Sequence, residues 1–210
     1  MKEYWNNGYW AEHLNEPESN DLFDVMWIKR HEAFLCSRTG RALDLGCGIG
    51  QNTDYLASLG YEVTSADISR VALDELTKRT PCANVVELDM SYPLPFGDKS
   101  FDLVFAGLSV HYFDQKTTQQ IFAEVARILT PNGLFVGAVN STLAYKYIAD
   151  HAVHIEDNYY VDGARCVRLF DREQLINLSK GFEIELLELT HTQRFGEPKD
   201  MWEFIFRKLG

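Results

Sequence analysis

The run Leu43-Asp44-Leu45-Gly46-Cys47-Gly48-Ile49-Gly50 sets three alternating glycines at the end of a short apolar segment. Glycines so spaced let the backbone approach a ligand closely, and the open amides of a following helix can meet an electronegative group. Asp67 follows the apolar run Tyr61 to Ala66, and Asp89 follows Asn84 to Leu88. A carboxylate at the end of a second strand can accept hydrogen bonds from both hydroxyls of a ribose. Met90, beside Asp89, offers a soft apolar surface to a flat base. Asp44, Asp67 and Asp89 are therefore expected to line one crevice and to hold a nucleoside-bearing ligand. The glycine run alone is shared by several nucleotide-binding folds and also serves as a purely structural turn; the acidic residues that follow make the pattern specific.

Other side chains could act on whatever that ligand delivers. Ser109-Val110-His111-Tyr112-Phe113 follows a buried apolar run, and His111 titrates near neutrality, so it is the candidate general base. Tyr112 is the candidate for orienting an acceptor, and packing beneath the loop is the competing reading for both. Tyr4, Trp5, Tyr9 and Trp10 are expected either to form a lid, where ring faces attract a cation, or to plug an apolar surface of a sheet. Tyr145 to Arg168, rich in tyrosine and charge, is expected to overhang the acceptor side, with Tyr159, Tyr160 and Arg165 facing a substrate or packing as a surface hairpin. His151, His154, Glu156 and Asp157 lack the third well-placed ligand of catalytic zinc, so no metal site is expected.

These groups need a scaffold, and the chain supplies a strand-helix alternation. Arg41 to Leu45 and Tyr61 to Ala66 read as strands flanking a helix from Gln51 to Leu59; Ser69 caps a helix through Lys78. Asn84 to Leu88, Phe101 to Ala106 and Leu134 to Val139 read as further strands. Thr117 to Leu129 carries a helical stripe at Ile121, Val125 and Ile128, stopped by Pro131-Asn132-Gly133. After a helix from Asp171 to Ser179, Phe182 to Leu189 and Met201 to Arg207 leave no room for a helix between them, so they pair antiparallel. The result is an α/β fold with a mostly parallel sheet covered on both faces.

The 210 residues suit a single domain, divided into an N-terminal aromatic segment (1–38), a ligand-binding core (39–140) and a substrate-side and hairpin part (141–210). A formal charge of −11 repels phosphate backbones and anionic lipid, which disfavours nucleic acid and favours a small-molecule partner. Cys36, Cys47, Cys82 and Cys166 are dispersed, as in a reduced cytoplasmic protein. No signal sequence or membrane span is expected, and the chain is expected to be a monomer or homodimer.

Asp44 to Gly50, Asp67, Asp89-Met90, Phe101-Asp102-Leu103-Val104 and Leu129 to Leu134 together resemble, in order, the motifs of class I S-adenosylmethionine-dependent methyltransferases. The resemblance covers approximately Arg41 to Asn140 and is nearest the small-molecule branch that includes ubiquinone-biosynthesis and tellurite-resistance-like enzymes. It implies a Rossmann-like, doubly wound sheet of seven strands with the C-terminal hairpin strand antiparallel. It implies S-adenosyl-L-methionine as cofactor and S-adenosyl-L-homocysteine as product, held by Asp44, Gly46, Cys47, Gly48, Gly50, Asn52, Asp67, Ile68, Asp89, Met90 and Ala106. Asn132 replaces the commoner glycine of the turn before the fifth strand, a position asparagine tolerates. An NAD-dependent oxidoreductase fits less well, because its fingerprint places the third glycine one residue later, where Gln51 stands. A cofactor-binding sensor or scaffold without turnover shares every one of these residues.

Overall fold

The computed structural model describes residues 1–14, 27–37, 39–148, 152–194 and 197–210. After a π-helical turn Tyr4–Tyr9 and a short helix α1 (Trp10–His13), the chain passes through α2 (Glu32–Leu35) into the alternating core. That core runs β1 (Arg41–Leu45), α3 (Gln51–Ser58), β2 (Glu62–Asp67), α4 (Arg70–Arg79), β3 (Asn84–Glu87), β4 (Phe101–Gly107), α5 (Gln115–Ile128) and β5 (Leu129–Asn140). A flap of three short strands follows, β6 (Val153–Glu156), β7 (Tyr159–Asp162) and β8 (Arg165–Arg168). Helix α6 (Arg172–Leu178) and the strands β9 (Phe182–Arg194) and β10 (Glu197–Lys208) complete the described chain.

The main sheet has seven strands in the order β3-β2-β1-β4-β5-β10-β9. The first five are parallel, and β10 runs antiparallel to both its neighbours, with Met201 opposite Asn140 and Arg207 opposite Leu134. The strand order reverses between β1 and β4, the switch point at which open α/β sheets leave a crevice beyond the carboxyl ends of their strands.

Both faces of the sheet are dry. Leu43, Val104, Phe135, Val139, Phe204 and Phe206 pack beneath α5 and α6, whereas Ala42, Leu103, Phe105, Val136, Met201 and Ile205 pack on the side of Trp27, Ile28, Leu35 and Leu56. This explains the near-continuous apolar runs in β4 and β5, since a strand covered on two faces has no polar alternation. Helix starts are set locally. Ser69 Oγ accepts from the Ala72 amide, Asp114 from the Thr117 amide at 2.7 Å, and Asp171 and Gln174 form a reciprocal capping box.

Two expectations required adjustment. Strand β5 begins at Leu129, directly after α5, and carries Pro131-Asn132-Gly133 within it. Asn132 takes φ 61°, a left-handed conformation asparagine adopts at little cost, so this turn bends the strand without separating it from the helix. The terminal hairpin is longer than its apolar runs, and the residues of β9 and β10 beyond Met201 opposite Thr190 project past the last β5 pairing at Asn140.

Candidate active site

The glycine turn leaves β1 at Leu45 and is tied to the neighbouring strand by two amides, Gly46 and Cys47, that both donate to the Ala66 carbonyl at 2.7 and 3.0 Å. Gly46 and Gly48 take φ values of 80° and 53°. A Cβ on Gly46 would lie 2.3 Å from Ser109 Cβ, and one on Gly48 would lie 2.7 Å from the Trp10 ring. Positive φ and close neighbours together require glycine at both positions. Gly50, at φ 84°, forms the N-terminal boundary of α3 with Leu76 against it.

Asp67 stands at the tip of β2 and closes this turn. One carboxylate oxygen accepts the Gly48 amide at 2.8 Å and the other the Ser69 amide at 2.8 Å. The side chain is buried, and burial raises its pKa above the ordinary carboxylate value against the lowering effect of the Ser69, Gly48 and Ile68 amides. Asp89, at the next strand end, is half-buried and accepts from the Ser91 amide and hydroxyl. Beside Asp89 opens a pocket lined by Ile68, Leu88, Glu87 and Lys2 as well, with Met90 packed against the core.

Asp44 lies deeper than its neighbours. It is 1% exposed and accepts from Thr53 Oγ1 at 2.8 Å, with Ser65 bonded to the same hydroxyl. It thus fixes the first turn of α3 from beneath, and only Asp67 and Asp89 of the three acidic tips reach the crevice surface. Ala106 is likewise fully buried, beneath the β4 tip. Cys47 is buried, and burial followed by repulsion from Asp44 and Asp67 pushes its thiol up, which removes it as a nucleophile. Asn52 is buried near Gly107, and its Oδ1 has no hydrogen-bond partner; the buried Trp27 indole N–H has none either. A buried acceptor left unmet beside Gly107, at the tip of β4, is what a ligand carrying an ammonium would satisfy.

The N-terminal aromatics meet this turn. Trp10 covers Gly48, Asn6 Oδ1 accepts from Ser69 Oγ at 2.8 Å, Lys2 pairs with Glu87, and Trp5 meets the Tyr112 ring edge-on at 5.0 Å. Tyr112 and His111 sit on a 3-10 turn, Val110–Tyr112, with their ring centroids 4.3 Å apart. His111 is 2% exposed, with the Tyr112 ring against it.

The flap stands beside that loop. Arg168, 3% exposed, joins the two, and Tyr145 and His154 pack their rings on Tyr160. Arg165 lies on β8, paired with Asp162 in the ladder. His151 lies outside the described residues. Among the described residues no group of three or more His, Cys, Asp or Glu side chains is placed to hold a metal. No described helix is long and apolar enough to cross a membrane.

Three buried ionic groups escaped the sequence reading. Glu203, 1% exposed, is held by Arg30 and, at 2.6 Å, by His31. Asp200 binds His191 at 2.5 Å and Lys146 at 3.3 Å at the projecting end of the hairpin. Arg168 is the third. Each partner set is distant in sequence, and no local spacing announces it.

A family of methyltransferase domains matches residues 43–137. A methyltransferase of Synechocystis sp. is 39% identical over 95 residues, which are 45% of this chain and 44% of that one, so the chain spans less than half that relative's length. A structure from Pyrococcus horikoshii has a TM-score of 0.73 at 22% identity, covering 96% of this chain and all of that one. The 1,6-didemethyltoxoflavin-N1-methyltransferase of Burkholderia thailandensis, solved with its substrate and S-adenosylhomocysteine, has a TM-score of 0.72 at 19% identity over 95% of this chain and 84% of that one. At these identities the two structures establish a shared fold.

Proposed function

We propose, from the match of residues 43–137 to a family of methyltransferase domains, that this chain is a class I S-adenosylmethionine-dependent methyltransferase that transfers a methyl group from that cofactor to a small-molecule acceptor. The observation that carries the reading is the closure of the glycine turn onto Asp67, which sets a carboxylate against two backbone amides, while the next residue, Ile68, lines a pocket with Asp89.

The residues present fit the cofactor. Asp67 would accept the ribose hydroxyls, Asp89 and Ile68 with Met90 would hold the adenine, and Asn52 Oδ1 would accept from the ammonium of the methionyl part. Gly46 and Gly48 would let that part of the cofactor approach the backbone at the β1 tip, with Cys47 and Gly50 shaping the turn and Asp44 and Ala106 supporting it from below. The cofactor supplies an electrophilic methyl carbon on a sulfonium. The remaining catalytic work is positioning and exclusion of water, with His111 taking a proton from the acceptor and Tyr112 orienting it. Tyr4, Trp5, Tyr9 and Trp10 form the lid, their rings suited to a sulfonium as to other cations. A small acceptor is supported by the chain's charge of −11 and by the small-molecule substrate of the Burkholderia neighbour.

Titration calorimetry with S-adenosylhomocysteine tests the binding half: Asp67→Ala should lose at least about tenfold in affinity, the value of a charge-assisted hydrogen-bond pair. Incubation with S-adenosylmethionine and a metabolite extract, followed by detection of S-adenosylhomocysteine, tests transfer. Absence of binding overturns the reading, and binding with no turnover in any extract assigns the chain a sensing role.

A further inference from the structure

Arg168 closes β8, in the flap, yet it is 3% exposed and bonds both within the flap and across to the loop after β4. Its Nε donates to the Phe113 carbonyl at 3.0 Å, one Nη to the Asp157 carbonyl at 3.0 Å, and the other Nη to the Glu156 carboxylate. Glu156 accepts in addition from the Gln115 amide at 2.6 Å, so the same ion pair holds both sides of Asp114, the cap of α5. The Tyr159 ring lies 5.1 Å from the guanidinium, and its hydroxyl reaches the Tyr112 carbonyl at 3.5 Å.

A buried guanidinium is costly unless its donors are met, and its planar fork satisfies several acceptors in one fixed geometry. Here the acceptors come from two places that no main-sheet ladder connects. One is the loop after β4 that carries His111 and Tyr112; the other is the β6–β7 turn. The seven-stranded sheet and the glycine turn make no use of this arginine. Its partners flank the loop that carries His111 and Tyr112.

We infer that Arg168 is a positioning residue for the acceptor side of the site, locking the His111-Tyr112 loop to the flap so that the two form one rigid wall. The inference rests on the methyltransferase reading for its functional meaning, while the coupling itself is testable without it. A lysine at this position presents one charged point and cannot meet a carbonyl on each side at once. Loss of the fork should therefore free the loop while leaving the cofactor face intact.

The test compares Arg168→Met, Arg168→Lys and Glu156→Gln with the parent chain by peptide-resolved hydrogen exchange and S-adenosylhomocysteine calorimetry. Exchange should rise together in residues 108–116 and 153–162 of Arg168→Met, by about tenfold or more, with residues 41–67 unchanged and product affinity kept. With the acceptor found by the extract screen, kcat should fall about tenfold or more, as expected when reacting groups are displaced by around an ångström, while KM for S-adenosylmethionine holds. Arg168→Lys should recover part of the loss. Unchanged exchange in residues 108–116, or a uniform rise across the whole chain in all three variants, overturns the inference. Failure of the parent chain to bind S-adenosylhomocysteine defeats the methyltransferase reading instead, and the exchange measurement still decides the coupling.

Discussion

Asp67 carries its charge at a cost, because burial favours the neutral acid while three backbone amides favour the carboxylate. Burial wins, and the folded pKa lies above the unfolded one. Stability linked to this group is therefore greatest below the ordinary carboxylate pKa and declines as pH rises through the raised value. Ribose hydroxyls donate to the ionised form, so product affinity should show the opposite trend and weaken as pH falls through that value. Calorimetry across acidic pH should show this dependence in the parent chain and a flat, weaker profile in Asp67→Asn. The placement of Asp67, Asp89 and the glycines was legible in the sequence because it follows from the ends of strands, which periodicity locates. The depth of Asp44 was not, since it depends on Thr53 and Ser65 folding over it. Arg168 looked like any charged residue of a polar segment, and its burial arises only when the flap meets the loop after β4.

At the scale of elements, caps and apolar stripes marked α4, α5 and α6 well, because each signal spans a few neighbouring residues. The cap of α5, Asp114, was not singled out, and the helix begins at Gln115, two residues before the expected Thr117; the bond of Asp114 to the Thr117 amide holds its carboxyl below the usual range. The stabilisation is present above the ordinary carboxylate pKa and is lost as pH falls through the lowered one. Asp114→Ala should lower unfolding stability by about 1 kcal/mol at neutral pH, with a smaller difference in strong acid, as denaturant titrations at two pH values would show. The flap was foreseen only as a possible hairpin. Its strands have four residues each and a register shift between His154 and Glu156, so no alternation long enough to read exists. The start of β5 was displaced for a related reason: the Pro-Asn-Gly signal of a turn is real, but the turn lies inside the strand.

Across the whole molecule, the strand alternation was enough to foresee the sheet and its antiparallel strand, because parallel crossovers need helices and the last connection has none. The relation of the N-terminus to the crevice is a tertiary matter. Its rings were expected to cover ligand or sheet; Trp10 rests on Gly48 and Trp5 on Tyr112, and Asn6 between them is bonded to Ser69. If they serve as a lid, a chain lacking residues 1–13 should keep its cooperative unfolding yet bind S-adenosylhomocysteine about tenfold more weakly, a difference of about 1.4 kcal/mol. Undiminished affinity in calorimetry would leave those rings a packing role alone.

The place of β10 has an outcome for how this chain is made. It lies between β5 and β9 although it is synthesised after both, so β9 has no docked position while the ribosome is still producing residues 197–208. During that interval Phe135 and Val139 lack their cover from Phe204 and Phe206, and the β5 edge offers unpaired backbone to any neighbouring strand. Insertion of one late strand is thus the step at which a nascent chain commits to its native form or to aggregation, and a chaperone that shields that edge would raise the yield of folded protein.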